Sequence, residues 1–311
     1  MLNSIYINES GYLNLLKDVI EFGSKKEILN PLTKTPYEDK YLLSLFGVTQ
    51  KFDISNNKLA AYTTKKVFIR AAIEEMLWFL EGSGDVTKLM NKGVHIWDDW
   101  AFNYYKDKLG LPSKDDFVNY VSQNNIPTPI PLHYTNINSG VTKQADWVVS
   151  SIKKRPYRKS YLVSYWDPKT TYEQTEESGL ESVVIAACHT HHQVVINEEK
   201  LSLLVFIRSN DLFLGNPFNV CQYSFLAHLY GHMTGYPATE LIVCIGDAHL
   251  YSDHLEVVQE QLKNEPYPFP DIALLNKYES MSDYSYSDLA ITNYVSHTTL
   301  KGALTFVGGI G

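Results

Sequence analysis

The stretch that most constrains the fold is IRSNDLFLGNPFNVCQYSFLAHLYGH, residues 207–232. Its first residues end a predicted strand, and the turn signal Gly215-Asn216-Pro217 leads into an apolar helix at about 220–234 that we expect to be buried. Two strands precede it, at 183–196 and 201–209, joined by a turn at 197–200. Strands and helices mix without a regular β–α–β alternation. This indicates an α+β fold, a large mixed sheet packed with helices, rather than a doubly wound sheet.

The clearest helix is VFIRAAIEEMLWFLE, residues 67–81, in which Ile69, Ile73, Met76 and Leu80 share one face at about 100° per residue. The other predicted elements are helices at 11–23, about 145–154 and 252–263, strands at 42–54, 161–166 and 239–245, and a turn-rich loop at 30–40. Residues 102–144 are polar and weakly periodic. We interpret them as a long excursion on one domain, not as a linker between two.

Composition narrows the function classes. The chain has 311 residues, 44% of them hydrophobic, and a formal net charge of −8. We expect no stable nucleic-acid partner, because such binding relies on Lys and Arg to neutralise phosphates. No apolar run is long enough for a membrane span, and no secretion signal is recognisable. Cys188, Cys221 and Cys244 are too sparse for a disulfide framework, which favours a reducing, cytoplasmic location.

Cys188 lies in VVIAACHTHHQVV, between apolar flanks. Most lone cysteines are small buried hydrophobic residues, and that reading stays open here. The polar neighbours His189, His191, His192 and Gln193 favour catalysis instead, because nearby imidazoles can stabilise a thiolate. Metal binding is the alternative for the histidines. The spacing is undistinguished and the helical pair His228/His232 lacks the acid of HExxH, so we predict no metal site.

Three further groups could carry chemistry. Glu75 falls among apolar side chains, where a carboxylate is costly unless it is paired or used. Arg208 and Ser209 could bind a phosphate, and Asn219 could read a uracil edge, which needs a donor and an acceptor. The alternative is that Asn219 caps the helix and Arg208 pairs with an exposed acid.

GDAHLYSDH, residues 246–254, is predicted to lie at a strand-to-helix junction. Ligand groups are common at such junctions. His249 and Tyr251 could bond a sugar hydroxyl there, whereas Asp247 could simply begin the helix.

Together these segments resemble the thymidylate synthase family over most of the chain. The matching motifs occur in the family's order and near its spacing: TTKK (63–66), EEMLWFLEGSGDVTKLMNKGVHIWDDWA (74–101), CHTHHQ (188–193), RSNDLFLGNPFNVCQYS (208–224), GDAHLYSDH (246–254) and EPYPFP (265–270).

The resemblance implies a role for each matching residue. Cys188 matches the nucleophile, Glu75 the carboxylate that manages protons, and Asn219 the amide that reads uracil. Sister enzymes acting on cytosine carry aspartate there, so Asn219 favours dUMP. The matching substrate-binding residues are Arg208, Ser209 and Gln193, with His249 and Tyr251 at the deoxyribose. The matching folate-binding residues are Asp211, Trp97, Trp100 and Lys65.

The sequence departs from the family pattern in four places. Tyr37 stands where the family has a phosphate-binding arginine, with Lys34 and Lys40 as possible substitutes. The paired arginines that the family lends across its dimer become Arg158-Lys159-Ser160, or by strict count Lys159-Ser160. Lysine cannot copy their bidentate fork. The VYGxQW stretch is not recognisable, and Tyr134 is the candidate for its tyrosine by position. Five residues, Val307 to Gly311, extend the C-terminal region beyond the stretch at about 300–306 that matches the end of the family's lid.

The resemblance therefore implies one catalytic domain over 1–311, with a divergent insertion at about 102–133 and a C-terminal lid at about 295–311. It implies a homodimer packed sheet to sheet, with basic residues lent across the interface. The leading activity is conversion of dUMP to dTMP with 5,10-methylenetetrahydrofolate as co-substrate. The alternatives are a deoxyuridylate hydroxymethylase and an inactive nucleotide- or RNA-binding homologue.

Overall fold

The computed structural model describes residues 5–29, 35–138, 140, 143–172 and 183–302. The helices are α1 (Asn8–Phe22), α2 (Ile69–Glu81), α3 (Val86–Met90), α4 (Asp98–Leu109), α5 (Lys114–Asn124), α6 (Gln144–Lys154), α7 (Pro168–Tyr172), α8 (Gly215–Thr234) and α9 (Leu255–Gln261). The strands are β1 (Ile5–Ile7), β2 (Ser24–Leu29), β3 (Pro36–Asp53), β4 (Leu162–Ser164), β5 (His189–Asn197), β6 (Lys200–Asp211), β7 (Ala238–Tyr251), β8 (Asp271–Leu274) and β9 (Leu289–Thr292).

One large mixed sheet organises the molecule. Its strand order is β1-β3-β7-β6-β5-β4, with β2 also paired to β3, and β8 and β9 form a separate hairpin. The pairs β3–β7, β4–β5 and β5–β6 are antiparallel, whereas β1–β3 and β6–β7 are parallel. The predicted α+β class with a large mixed sheet is confirmed.

One face of the sheet is covered by helices. Leu203, Val205 and Ile207 of β6 and Val243 of β7 point to this face and are almost fully buried. Helix α8 crosses it and is buried nearly all round, as expected for a helix that is apolar on every side. Pro217 lies in the first turn of α8, where its missing N–H removes no helical hydrogen bond.

The opposite face of the sheet is partly exposed. Leu204 and Phe206 alternate with the buried residues of β6, and their register partners Ile242 and Cys244 share this face. Leu162 on the edge strand β4 is 46% exposed. Within the described ranges, none of the helices is both long and apolar enough to cross a membrane.

Most predicted elements are confirmed, but some ends are wrong: the strand predicted from 183 begins only at His189, and β3, β7 and α8 are longer than predicted. Helix α2 covers 69–81 of the predicted 67–81 segment, and α1, α6, α8 and α9 match the other predicted helices. The turn before β6 places Glu198 and Glu199 at positive φ, as tight hairpin turns require. The predicted loop at 30–40 is partly wrong, because β3 begins at Pro36. Residues 30–34, Lys34 among them, lie outside the described ranges.

The predicted excursion is more ordered than its polarity suggests. Residues 102–133 include most of α4 and all of α5, and α5 buries Phe117 and Val121 completely. The assignment of the whole chain to one catalytic domain stays a prediction. Residues 303–311, which belong to the predicted lid, lie outside the described ranges.

Candidate active site

Cys188 lies at the residue before β5 and is partly buried. Its backbone N–H donates to the hydroxyl of Tyr134 at 2.9 Å. Its carbonyl accepts from the backbone N–H of Arg208 on β6 at 2.8 Å. Gly246 on β7 is needed beside this strand, because an added Cβ would lie 2.7 Å from the carbonyl oxygen of Arg208. The backbone at Cys188 is therefore held by Tyr134 through its N–H and by β6 through its carbonyl.

Tyr134 is positioned by aromatic packing. It lies in a 3₁₀ turn, His133–Ile137, and its ring stacks on Phe79 of α2 at a centroid distance of 4.5 Å. Trp97 approaches edge-on at 6.1 Å. Only its place in the chain had made Tyr134 a candidate. The structure places it directly beside Cys188.

Arg208 is the residue that most strongly lowers the pKa of the Cys188 thiol. Burial raises the pKa of Cys188, whereas the Arg208 guanidinium and, less strongly, the Tyr134 hydroxyl lower it. The expectation that neighbouring imidazoles supply this charge is wrong. Burial lowers the pKa of His189 to about 4 and that of His192 to about 3, so both rings are neutral at pH 7.

The guanidinium of Arg208 is held in place by the backbone before Cys188. Its Nε and Nη2 atoms donate to the carbonyls of Ala187 and Ala186, both at 2.9 Å. Its Cζ lies 5.7 Å from the centroid of the Trp166 ring. These contacts replace the exposed acid considered as its alternative partner. A cavity of about 420 Å³ beside it is lined by Ser164, Trp166, Thr190, His191 and Arg208.

Glu75 on α2 accepts two hydrogen bonds, as expected for a carboxylate that lies among apolar side chains. Its Oε1 accepts from Trp97 Nε1 at 2.6 Å, and its Oε2 accepts from Gln222 Nε2 at 2.5 Å. Burial, partly opposed by these two hydrogen bonds, raises the pKa of Glu75 to about 7. A carboxyl that titrates near neutrality can both accept and return protons.

Asn219 lies inside α8, which begins at Gly215, so its reading as the helix cap is wrong. Its Oδ1 accepts from Asn210 Nδ2 at 2.8 Å, and its Nδ2 donates to Gln222 Oε1 at 3.3 Å. It also lies near His189, the residue after Cys188, and its amide partly opposes the lowering of the His189 pKa by burial. Sequence reasoning missed Gln222. Its signal is a polar side chain three residues beyond Asn219, on the same face of an apolar helix.

Residues 246–251 of the GDAHLYSDH segment form the end of β7, and Ser252–His254 form a 3₁₀ turn that leads into α9, so the predicted strand-to-helix junction is confirmed. Asp211 on β6 is in register with His249, and Ser209 is in register with Asp247. Asp247 forms an ion pair with Lys26 and does not begin a helix.

Tyr251 lies in the same region as the thiol. Burial raises its pKa, and the charges of Asp211 and Cys188 add to the rise. His249 packs edge-on against the Tyr251 ring at 5.4 Å. The phosphate, sugar and thiol candidates therefore meet at one end of β6 and β7.

Three of the predicted folate residues, Asp211, Lys65 and Trp97, lie around this cluster. The carboxylate of Asp211 accepts from the backbone N–H groups of Phe213 and Leu214 at 2.8 and 3.1 Å. Lys65 donates to the Phe213 carbonyl, and burial lowers its pKa to about 8. Trp100 is half-buried on α4, three residues after Trp97.

Two of the remaining basic candidates, Arg158 and Lys159, lie beside the edge strand β4. Gln193 donates to the Lys159 carbonyl at 2.8 Å, and Arg158 and Lys159 are exposed in the loop before β4. They lie further along β5 than the Cys188 cluster. Lys40 forms an ion pair with Asp253 at 2.7 Å.

For the part of the chain that the structure describes, no group of three or more His, Cys, Asp and Glu side chains is arranged to hold a metal ion. His228 and His232 of α8 instead donate to the carbonyls of Lys58 and Asn276, each at 2.8 Å.

A cysteine thiol, a tyrosine hydroxyl, a guanidinium and an acid–amide chain thus converge on one site. Such an arrangement is chemically suited to covalent attack by a thiolate together with controlled proton transfer. The sequence model of the thymidylate synthase family matches residues 10–306. The chain is 32% identical to the thymidylate synthase of Mycoplasma mobile over 299 residues, 93% of this chain and 97% of that relative. The chain belongs to the thymidylate synthase family, whose members are one-carbon transferases that use methylenetetrahydrofolate and bind dUMP.

Proposed function

We propose that this protein converts dUMP and 5,10-methylenetetrahydrofolate into dTMP and dihydrofolate. The observation that carries the proposal is the convergence of Cys188 and Asn219. Asn219 is hydrogen-bonded to Asn210 on β6 at 2.8 Å, and the Cys188 carbonyl accepts from the backbone N–H of Arg208, two residues earlier on the same strand. One pyrimidine ring can therefore meet a sulfur at carbon 6 and an amide at its opposite edge.

The reaction begins with the Cys188 thiolate. Carbon 5 of uracil is a poor nucleophile until the thiolate adds at carbon 6 and an enolate forms. Carbon 5 then attacks the methylene group of the folate iminium ion. A base removes the proton from carbon 5, and tetrahydrofolate leaves to give an exocyclic methylene. Hydride from tetrahydrofolate reduces this group to methyl, and the thiolate is expelled from carbon 6.

Two groups of this chain manage the charge on the pyrimidine. The Asn219 amide stabilises the enolate oxygen. Glu75 relays protons through ordered water to and from the ring, and its pKa of about 7 supports this role. Tyr134 faces the reacting carbon, as its hydrogen bond with the Cys188 backbone suggests.

Binding of the rest of dUMP is assigned to the ends of β5, β6 and β7. Arg208 and Ser209 hold the phosphate and His249 and Tyr251 hold the deoxyribose hydroxyl, with Gln193, Arg158 and Lys159 as further substrate contacts. Asp211, Trp97, Trp100 and Lys65 bind the folate. The aromatic and acidic side chains around Cys188 fit a flat pterin ring that carries hydrogen-bond donors.

Product analysis tests the proposal. The purified protein is incubated with dUMP and methylenetetrahydrofolate, and the nucleotides and folates are separated by liquid chromatography and mass spectrometry. The proposal predicts dTMP and dihydrofolate in equal amounts. Hydroxymethyl-dUMP with tetrahydrofolate would identify the hydroxymethylase alternative, in which water replaces hydride. Absence of both products would favour the inactive homologue.

We also propose that two copies pack through the partly exposed sheet face and lend Arg158 and Lys159 to each other's sites. Support comes from the apolar side chains on that face, Leu162, Leu204, Phe206 and Ile242. The test mixes inactive Cys188→Ala subunits with subunits in which Arg158 and Lys159 are replaced by Ala. A site that borrows these residues regains roughly a quarter of wild-type activity, because half of a random mixture of two-fold dimers has one intact site. Monomers in sedimentation, or no recovery, contradict the proposal.

A further inference from the structure

Gln222 connects the two ends of the pyrimidine site. It is fully buried on α8. Its Nε2 donates to Glu75 Oε2 at 2.5 Å, and its Oε1 accepts from Asn219 Nδ2 at 3.3 Å. The Gln222 amide therefore bonds to Glu75 through its nitrogen and to Asn219, the residue proposed to read the base, through its oxygen.

The polarity of this bridge is determined by the acid. An ionised carboxylate only accepts hydrogen bonds, so it selects the NH₂ end of Gln222. The oxygen of Gln222 must then face Asn219, which selects the NH₂ end of Asn219 in turn. The orientation of the Asn219 amide therefore follows from the charge on Glu75, two hydrogen bonds away.

The hydrogen bonds on the other side of Asn219, away from Gln222, require the same orientation of the Asn219 amide. Asn210 Nδ2 donates to Asn219 Oδ1 at 2.8 Å, and Asn210 Oδ1 accepts from Asn216 Nδ2 at 2.7 Å. The buried Tyr62 hydroxyl donates to Asn216 Oδ1 at 2.8 Å. The donors and acceptors alternate consistently from Glu75 through Asn219 to Tyr62.

Amide orientation decides which pyrimidine fits. Uracil presents a carbonyl at carbon 4 and an N–H at position 3, whereas cytosine presents an amino group and a bare nitrogen. An amide with its oxygen and nitrogen exchanged would read cytosine in place of uracil. A site built around one pattern leaves buried groups unpaired when the other base binds.

We infer that Gln222 is a positioning residue that holds the Asn219 amide in the uracil-reading orientation by linking it to Glu75. Gln222 need not touch the substrate. The inference rests on the proposed function, because it assumes that Asn219 faces the base.

The test compares binding of dUMP and dCMP to the wild type and to Gln222→Met by calorimetry, without turnover. Methionine fills a similar volume but offers no amide, so the preference for dUMP over dCMP narrows by about tenfold or more. Gln261→Met is the matched control, since Gln261 is also fully buried and donates to Thr64 Oγ1 at 2.9 Å. That variant should keep the wild-type preference.

A second readout separates positioning from simple loss of stability. The Gln222 hydrogen bond lowers the pKa of Glu75, so Gln222→Met should move the corresponding limb of the pH–activity profile to higher pH. If Gln222→Met does not fold, Gln222→Asn, which is one methylene too short to span both contacts, must show the same narrowing. An unchanged preference for dUMP in a folded variant overturns the inference alone. Failure of the wild type to bind dUMP overturns the proposed function and the inference together.

Discussion

The backbone N–H of Cys188 donates to the phenolic oxygen of Tyr134 at 2.9 Å, although 54 positions separate the two residues in the chain. This contact joins the start of β5 to a 3₁₀ turn that packs on α2. It fixes the thiol relative to the helix that carries Glu75. Removing the contact should therefore affect catalysis more than folding.

Tyr134→Phe keeps the ring stacked on Phe79 but leaves the Cys188 N–H without its acceptor. An unsatisfied buried donor costs about 1–3 kcal/mol. We expect kcat to fall by roughly tenfold to a hundredfold, with a smaller effect on the affinity for dUMP. Steady-state kinetics check this, with Tyr120→Phe on the exposed side of α5 as control. Equal kinetics for Tyr134→Phe and the wild type would show that the Tyr134 hydroxyl has no role in catalysis.

Arg208→Lys tests the source of thiolate stabilisation. The guanidinium lowers the pKa of Cys188, and a lysine cannot reproduce its two hydrogen bonds to Ala186 and Ala187. The pKa of Cys188 should therefore rise. The measurement is the rate of iodoacetamide alkylation at Cys188 against pH, read by peptide mass spectrometry. The midpoint should move to higher pH, and a midpoint unchanged from the wild type would contradict this account.

Glu75→Gln tests the raised pKa through stability. The folded-state pKa of Glu75, about 7, lies above its ordinary value of 4.5. Between these values the folded protein binds more protons than the unfolded chain, so its stability falls as the pH rises. Glu75→Gln removes this pH-dependent fall in stability, because the glutamine amide does not titrate. Relative to the wild type, the variant should therefore gain about 2 kcal/mol between pH 5 and pH 8.

Urea unfolding at four pH values across that range measures the effect of Glu75→Gln. Only the pH dependence of the difference matters, because any constant cost of the amide cancels. Parallel stability curves for the two proteins would show that Glu75 does not titrate as described.

Cys188→Ala should abolish turnover while the fold is retained. A site that loses its nucleophile loses roughly 10⁴-fold or more in kcat. Cys244→Ala is the matched control, because Cys244 is also partly buried but lies on the opposite, partly exposed sheet face. Kinetics and thermal unfolding of both variants check this. Appreciable residual turnover in Cys188→Ala would count against covalent catalysis.

The sequence predicted the helices and strands whose periodicity is strong. Helix α2 and the β5–β6 hairpin were found because burial of one face requires a regular apolar pattern. Helices α4 and α5 were missed, since their buried faces are short and their Lys and Asp residues hide the period. The end of β7 was predicted too early, at 245 and not at Tyr251, because the polar side chains in residues 246–251 interrupt the apolar pattern of the strand.

The site was predicted in part, because its residues lie in short motifs. Cys188, Glu75 and Asn219 became candidates through motif resemblance and, for Glu75, through a carboxylate in an apolar setting. Gln222 was not found, because its partner Glu75 lies 147 positions away and no local pattern reports that contact. The neutral state of His189 was also hidden, since it depends on burial by distant elements.

The most direct test of the central claim is covalent trapping of the pyrimidine. The protein is incubated with fluoro-dUMP and methylenetetrahydrofolate, digested, and mapped by mass spectrometry. The account predicts a single adduct joining the Cys188 sulfur, the fluoropyrimidine and the folate methylene. No adduct, or an adduct at Cys244 in place of Cys188, would contradict it.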